Sequence, residues 1–324
     1  MMKAALVLYA QSSSLSRMAA ELDLVFSPLS SCFDSVELWY FYCGKKEDEI
    51  PRFSFRLTRV LRIGISMSHK PELFLDELLG IHGQSRVDLI MFPGDGLGGE
   101  LATRLAYRLK GSSSINIERC FVSGGKLEVE REAYGHHLSA RFSLASSPFC
   151  ISVAKQASKP IGFEKVDPQI LDDHIVASSS DQEDNDFSLI PENKTVDFTS
   201  ADFIVALGLG SGSKDRTLRL QNVARSLGAE PCASRPVVMN GWMEMERLIG
   251  ASGAVVSPSV CIAAGISGMG AFTFGIRGSK LIVAINTDPK APIFKIADVG
   301  IVDDLLETLL ELEKIVNEQR NKDT

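Results

Sequence analysis

Short apolar runs, separated by turn residues and by stretches of helical period, set the pattern of this chain. Residues 4–9, 36–42, 60–65 and 87–92 predict strands, and residues 16–24, 71–79 and 99–109 predict helices. Strand and helix in this order imply a mostly parallel sheet with covering helices. From residue 115 to 153 the period changes to two. Leu127 and Val129 alternate with Glu128 and Glu130, and Leu138, Ala140, Phe142 and Leu144 alternate with polar or small residues. That spacing predicts an antiparallel meander capping the first sheet.

After Lys159-Pro160 the chain becomes polar and acidic, reading Ser-Ser-Ser-Asp-Gln-Glu-Asp-Asn-Asp over residues 178–186. This composition marks a linker near residues 160–195, so the chain divides into an N-terminal α/β domain, 1–195, and a second domain, 196–324. The second opens with the apolar run 203–207, a Gly-Leu-Gly-Ser-Gly turn at 208–212 and an apolar-periodic helix over 215–227. Strand, glycine turn and helix suit a nucleotide-binding unit. A dinucleotide fingerprint, however, is Gly-x-Gly-x-x-Gly with an acidic residue ending the second strand, and here Glu230 stands at the start of that strand. Further on, the runs 253–256, 262–265 and 281–285 each end in small or polar residues, as buried strands do when their carboxyl ends carry a site. Asp303 is placed to cap a closing helix marked by Leu305, Leu306, Leu309, Leu312 and Val316, and the polar tail from Asn317 reads as frayed.

Composition narrows the function classes. A chain of 324 residues suits two domains. With 45% hydrophobic and 23% charged residues it is an ordinary globular protein. A net charge of -7 and no basic stripe argue against nucleic acid as a partner. No apolar run is long enough for a membrane span, and the start is too short for a signal peptide. Cys32, Cys43, Cys120, Cys150, Cys232 and Cys261 form no Cys-x-x-Cys pair. They read as reduced packing residues of a cytoplasmic protein. His136 and His137 are adjacent in a turn and would point to opposite faces of a strand, which does not suit a shared metal. The glycine-rich turn over 92–100 could offer amides to a phosphate, but no Lys follows it; the plainer reading is a loop needing positive φ.

Four blocks in the second domain carry a resemblance. They are Ala-Ser-Arg (Ala233 to Arg235), Ala-Ala-Gly-Ile-Ser-Gly (Ala263 to Gly268), Val-Ala-Ile-Asn-Thr-Asp-Pro-Lys-Ala-Pro-Ile-Phe (Val283 to Phe294) and Ile-Ala-Asp-Val-Gly-Ile-Val-Asp-Asp-Leu (Ile296 to Leu305). In order and spacing they resemble the flavin domain of electron transfer flavoprotein alpha subunits, closely from about residue 201 and more loosely before it. The resemblance implies a C-terminal doubly wound, flavodoxin-like or Rossmann-like domain that binds FAD. It also implies a partner-binding N-terminal domain, a beta subunit as heterodimer partner, and electron transfer between a dehydrogenase, of acyl-CoA type or another, and an acceptor oxidoreductase. Such a protein is an electron carrier more than a stand-alone enzyme. In agreement, the flavin domain holds no Ser-His-Asp, Cys-His or paired-carboxylate constellation.

FAD brings two phosphates and a ring whose reduced forms are anionic, so its site needs phosphate donors and a positive charge. Ser267 and Gly268, followed by Met269, Gly270, Ala271 and Phe272, place a hydroxyl and unhindered amides at a helix start, with Gly268 letting backbone approach phosphate. Arg235 follows an extended run and precedes Pro236, so it is expected to project from a strand end; the family's matching arginine lies against the flavin ring. By the same resemblance Ser234, the stretch Ile249, Gly250, Ala251 and Ser252, and Leu305 are cofactor contacts, while Asn286 and Asp304 belong to the adenosine half. There are departures. Leu209 stands where the family commonly has arginine, Ala251 where it often has glutamine, and Ala271-Phe272 where it has Gln-His. These leave open a flavin-poor structural subunit and, more remotely, a stand-alone NAD-dependent oxidoreductase.

Overall fold

The computed structural model describes residues 2–9, 15–42, 49–65, 70–124, 126–134, 138–156, 161–167, 170–176 and 198–320. Cys43, His136, His137 and the acidic run 178–186 lie outside them. The chain divides into two compact units, Met1–Ser188 and Leu189–Thr324. Among the described residues no helix is long and apolar enough to cross a membrane.

The first unit contains β1 (Lys3–Tyr9), α1 (Leu15–Phe26), β2 (Ser35–Tyr42), β3 (Glu49–Pro51), β4 (Arg59–Gly64), α2 (Pro71–Ser85), β5 (Leu89–Phe92), α3 (Gly96–Leu109), β6 (Ser112–Ile117), β7 (Arg119–Ser123), β8 (Lys126–Ala133), β9 (Leu138–Ser143), β10 (Phe149–Val153), β11 (Phe163–Lys165) and β12 (Leu171–Val176). Its main sheet has seven strands in the order β12-β4-β2-β1-β5-β10-β6, and every pairing in it is parallel. β1 pairs on both sides and is buried from Ala4 onward. This is why it reads as an unbroken apolar run.

Two expectations for this unit change. The meander is confined to β7-β8-β9. β6 and β10, at the ends of the period-two stretch, belong to the parallel sheet, and β10 is buried at every position, so its continuous apolar run marks a two-sided strand. The polar stretch read as a linker also supplies two strands, β11 and β12. β12 pairs with β4, and its carboxylates face that strand's arginines: Asp172 accepts from the buried Arg62 at 3.0 Å and Asp173 from Arg59 at 2.7 Å. Polar composition hides the strand because the charges are neutralised across the pair.

At the carboxyl end of β1 the Tyr9 hydroxyl donates to Asp95, which also caps α3 by accepting from the Gly98 amide at 2.7 Å. The glycines of this turn have no positive φ. Two of them are small because backbones touch: a Cβ on Gly94 would stand 2.8 Å from the Val153 carbonyl oxygen, and one on Gly98 2.2 Å from that of Pro93.

The second unit contains β13 (Phe203–Leu207), α4 (Lys214–Ser226), β14 (Glu230–Ala233), α5 (Arg235–Met239), β15 (Val260–Ala264), α6 (Gly270–Ile276), β16 (Leu281–Ile285), β17 (Val299–Ile301) and α7 (Leu305–Arg320). The five strands run parallel in the order β14-β13-β15-β16-β17, which is the flavodoxin-like doubly wound order. Along β13, Val205 and Leu207 join Leu220, Leu305 and Leu309 in one core, and Ile204 and Ala206 join Phe272 and Ile293 in the other. The sheet is thus covered on both faces. Residues 253–256 do not form a strand: only Ala254 bridges, to Ile249, because the chain doubles back with the Ala254 amide on the Leu248 carbonyl at 2.8 Å. The polar tail stays helical to Arg320, whose guanidinium donates to the carbonyls of Ser226 and Leu227 at 3.2 and 3.4 Å and satisfies the end of α4.

Candidate functional site

The strands of the second sheet finish along one register row, in which Ala233 pairs with Leu207, Leu207 with Ala264, Ala264 with Ile285 and Ile285 with Ile301. Ser234, Gly208, Gly265 and Asn286 are the next residues on four of these strands. Arg235, Ser267 and Asp304 follow within three positions of a strand end, and Gly268 within four. At roughly 4.8 Å per strand the row from β14 to β17 extends about 19 Å, a length that suits an extended dinucleotide. In doubly wound sheets this carboxyl edge, at the strand where the winding reverses, is where ligands bind. Here that point lies between β13 and β15.

The turn of residues 208–212 and the turn after β15 meet there backbone to backbone. The Gly210 amide donates to the Gly265 carbonyl at 3.0 Å, and a Cβ on Gly208 would stand 2.1 Å from that same oxygen. The next residues face outward unengaged. Among the described residues, none of the amides of Ser267, Gly268, Met269, Gly270 and Ala271 has a hydrogen-bond partner. Ser267, Met269 and Ala271 are exposed and Gly268 and Gly270 half-buried. α6 begins at Gly270 with Met269 as its cap, so the Ser-Gly pair precedes the helix by two residues. The helix has seven residues, too few aligned peptides for a full half-charge at its start.

Gly268 holds φ at +89°, and a Cβ there would fall 2.3 Å from the Ile293 amide nitrogen. Its smallness therefore serves the packing of the turn on residue 293, which is also tied by the Ile293 amide to the Ser267 carbonyl at 3.0 Å.

On the β14 side, Ser234 is buried and its amide donates to the Leu207 carbonyl at 3.0 Å. Arg235 differs from expectation: β14 ends at Ala233, and Arg235 is the first residue of the five-residue helix α5, because Pro236 fixes φ for a first helical turn. It is exposed, and no ion pair among the described residues involves it. The neighbouring turn of residues 249–252 is held to both flanks, by the Ile249 amide on Ala233 at 2.9 Å and the Ala251 amide on Ala271 at 2.7 Å. It is thereby brought beside both Arg235 and α6. Ser252 is exposed, and the hydroxyls of Ser234, Ser252 and Ser267 have no partner among the described residues.

Other predicted residues are not free to offer side chains. Ile249 and Phe272 are packed in one core and Leu305 in the other, so only their backbones can reach a ligand. Asn286 is a clamp: its Nδ2 donates to the Ile266 carbonyl at 2.9 Å and its Oδ1 accepts from the Asp288 amide at 2.9 Å. Asp304, not Asp303, caps α7, accepting from the amides of Leu306 and Glu307 at 2.9 and 3.2 Å. Among the described residues Asp303 accepts only from the amide of Asp304, at 2.7 Å. Arg216 also grips the Asp304 carboxylate, and this guanidinium holds the Asp304 pKa below the usual range. Sequence reasoning missed Arg216, whose one visible signal was its place on the first turn of the helix after the glycine turn.

The site is therefore a rim of unengaged amides, two exposed serine hydroxyls and one exposed arginine, with the buried Ser234 hydroxyl beside them, on a rigid sheet edge. Such donors fit phosphate and an anionic ring. A sequence model of the "Electron transfer flavoprotein FAD-binding domain" family matches residues 197–277. The chain is 34% identical over 250 residues to the electron transfer flavoprotein subunit YgcQ of Escherichia coli K12, covering 74% of this chain and 83% of that protein. It is 31% identical over 257 residues to protein FixB of Rhizobium meliloti strain 1021, covering 76% of this chain and 71% of that protein. FixB of Azorhizobium caulinodans is also 31% identical, over 265 residues, with 78% and 70% covered. With a parallel second sheet of the expected order and relatives aligned over most of both lengths, the chain belongs to the electron transfer flavoprotein alpha-subunit family.

Proposed function

We propose that the chain is the FAD-carrying subunit of an electron transfer flavoprotein. Paired with a beta subunit, it would pass electrons from a dehydrogenase, of acyl-CoA type or another, to an acceptor oxidoreductase, in a cytoplasm that keeps its thiols reduced. The observation that carries the cofactor reading is the run of unengaged amides from Ser267 to Ala271 on the carboxyl edge of the sheet. A diphosphate is the group such a run suits, since each amide would otherwise face only water.

The remaining roles follow from position. The hydroxyl of Ser267 adds a donor beside the amides, and those of Ser234 and Ser252 flank the β14 end. Arg235, exposed and without a counter-ion among the described residues, supplies the positive charge on the same flank. FAD, when bound, supplies the electron-accepting ring. The protein's share is to orient it and to favour its anionic reduced form with Arg235. Leu209, which is exposed, offers no second cation, and Phe272 turns its ring into the core, so Arg235 has few companions in this task.

The test is the chain co-expressed with its beta subunit. A flavin spectrum with one FAD per alpha subunit is expected; a colourless complex would favour the flavin-poor structural subunit instead. In the loaded complex, Arg235→Ala should lower the potential of the step that forms the anionic flavin by about 60 to 130 mV. This is the equivalent of one charge-assisted hydrogen bond of about 1.5 to 3 kcal/mol. Arg235→Lys should restore only part, as a point charge without the planar fork. Unchanged potentials with FAD still bound would remove Arg235 from the site.

A further inference from the structure

A diphosphate bears a negative charge on each phosphate, yet the turns at the carboxyl edge offer it only neutral donors. Residues 208–213, 249–252 and 265–272 contain no charged side chain, and Leu209 is exposed without supplying one. Of the cations along the edge, Arg216 is committed to Asp304, and Arg235 opens α5 on the β14 flank. Lys214 opens α4 beside Asp215. A cation next to the amides would add a Coulombic attraction that the amides lack. The loop of residues 286–293 carries one, Lys290.

Both stems of that loop are bonded to the residues that lead into the amide run. At its start Asn286 Nδ2 donates to the Ile266 carbonyl at 2.9 Å, and at its end the Ile293 amide donates to the Ser267 carbonyl at 3.0 Å. Between the stems the loop is braced. Asp288 Oδ1 accepts from the Lys290 amide at 2.9 Å, the Asp288 carbonyl accepts from the Ala291 amide at 3.1 Å, and Pro289 and Pro292 each fix φ. Ala291 and Ile293 are packed in the core, whereas Lys290 is exposed. No ion pair among the described residues involves Lys290, and the loop's one carboxylate is turned onto the Lys290 amide. We propose that Lys290 is a further cofactor-binding residue, whose ammonium offsets the charge of a diphosphate held by the amides from Ser267 onward. This rests on the cofactor reading above. An exposed lysine acts as a solvated point charge, so its contribution is modest and falls with salt.

The experiment uses the full chain with its beta subunit, freed of flavin, and measures equilibrium binding of FAD, riboflavin and inorganic diphosphate at about 0.02 M and about 0.5 M salt. Riboflavin lacks phosphate, and inorganic diphosphate lacks the ring. Lys290→Met is expected to weaken FAD and inorganic diphosphate by about two- to fivefold at low salt, the worth of an exposed ion pair. At high salt, where the Debye length is about 4 Å, the loss should shrink to less than about 1.5-fold. Riboflavin should bind unchanged, Lys290→Arg should bind as the wild type does, and Lys214→Met should lose less than Lys290→Met. Wild-type affinity in Lys290→Met at low salt, a loss that salt does not reduce, an equal loss of riboflavin, or a larger loss in Lys214→Met overturns the role of Lys290. FAD binding by the wild type would then stand without it. A wild type that binds inorganic diphosphate through Lys290 but neither flavin overturns the flavin reading and upholds the residue. A wild type that binds none of the three overturns both.

Discussion

Replacing Gly268 by alanine separates packing from ligand contact at the centre of the site. Sequence alone would expect a bulky residue here to abolish FAD retention by blocking a phosphate. The structure directs the missing Cβ elsewhere, toward Ile293, 2.3 Å from its amide nitrogen and 2.5 Å from its Cα, with φ at +89°. Backbone strain at such a φ costs about 1 to 3 kcal/mol, and overlap with backbone that cannot rotate away adds about 1 to 3 kcal/mol. Gly212 provides the control, because its φ is +79° and nothing lies within 4 Å of its Cβ position. Gly212→Ala should show the strain alone. Gly268→Ala should be destabilised by about 2 to 6 kcal/mol, at least about 1 kcal/mol beyond the control. Trp242 packs against a core of the second unit, so its fluorescence during guanidinium unfolding of the flavin-free chain, in a Trp39→Phe background, reports the difference. If Gly268→Ala is no less stable than Gly212→Ala, the contact with Ile293 is not what requires glycine, and the phosphate explanation regains its force.

Two further outcomes are expected in the first unit and among the thiols. Burial raises the Glu21 carboxyl from 4.5 to about 7, with Asp95 adding to the rise and Arg17, Lys155 and the Gln156 amide opposing it. The folded state therefore holds a proton that the unfolded chain releases, and stability should fall as pH rises from about 4.5 to about 7, by at most about 3 kcal/mol. Glu21→Gln should flatten that slope in denaturant midpoints taken between pH 5 and 8, and a slope unchanged by the substitution would refute the assignment. Burial pushes the thiols of Cys120, Cys150 and Cys261 up to about 12 and raises that of Cys232 well above its ordinary value, while Cys32 is exposed. A thiol reagent on the native chain should label Cys32 and leave these four untouched until unfolding, and peptide mapping that finds label on any of the four would contradict their burial.

What was legible in the sequence divides along the range of the interactions. Strands paired on both sides, such as β1 and β16, announce themselves as apolar runs, and the small and polar residues at their carboxyl ends read as a candidate site, although Gly208, Gly265 and Gly268 among them are also demanded by close packing. β12 was hidden, since Asp172 and Asp173 read as solvated charges until Arg62 and Arg59 are seen across the sheet. The helical tail was hidden for a similar reason, with Arg320 satisfied by carbonyls more than ninety positions away. The cap of α7 was misplaced by one residue, because either Asp303 or Asp304 suits the pattern and only the Leu306 and Glu307 amides decide. Arg216 could not be found without its partner. Glycines were recognised as necessary, but the demand that another segment's backbone makes at Gly94 and Gly268 was not visible along the chain.

Two parts of the sheet edge are prepared in opposite ways, and this bears on how the site would work. At the β14 end, Arg235 and the hydroxyls of Ser234 and Ser252 hold no partner among the described residues, so a ligand arriving there displaces only water. Nearer the winding switch, Asn286 is fixed by the Ile266 carbonyl and the Asp288 amide, and Asp304 by Arg216 and two helix amides. Groups already held in place lose little freedom on binding, and this favours affinity. Groups left unengaged can strengthen their interaction as charge develops on a ligand, and this favours tuning of its potential. An edge rigid beside the winding switch and electrostatically open at the β14 end would suit anchoring the proposed dinucleotide at one part and leaving its ring to respond to Arg235. If so, substitutions at Asn286 or Asp304 should change how much cofactor is retained with little effect on its potential, and substitutions at Arg235 the reverse.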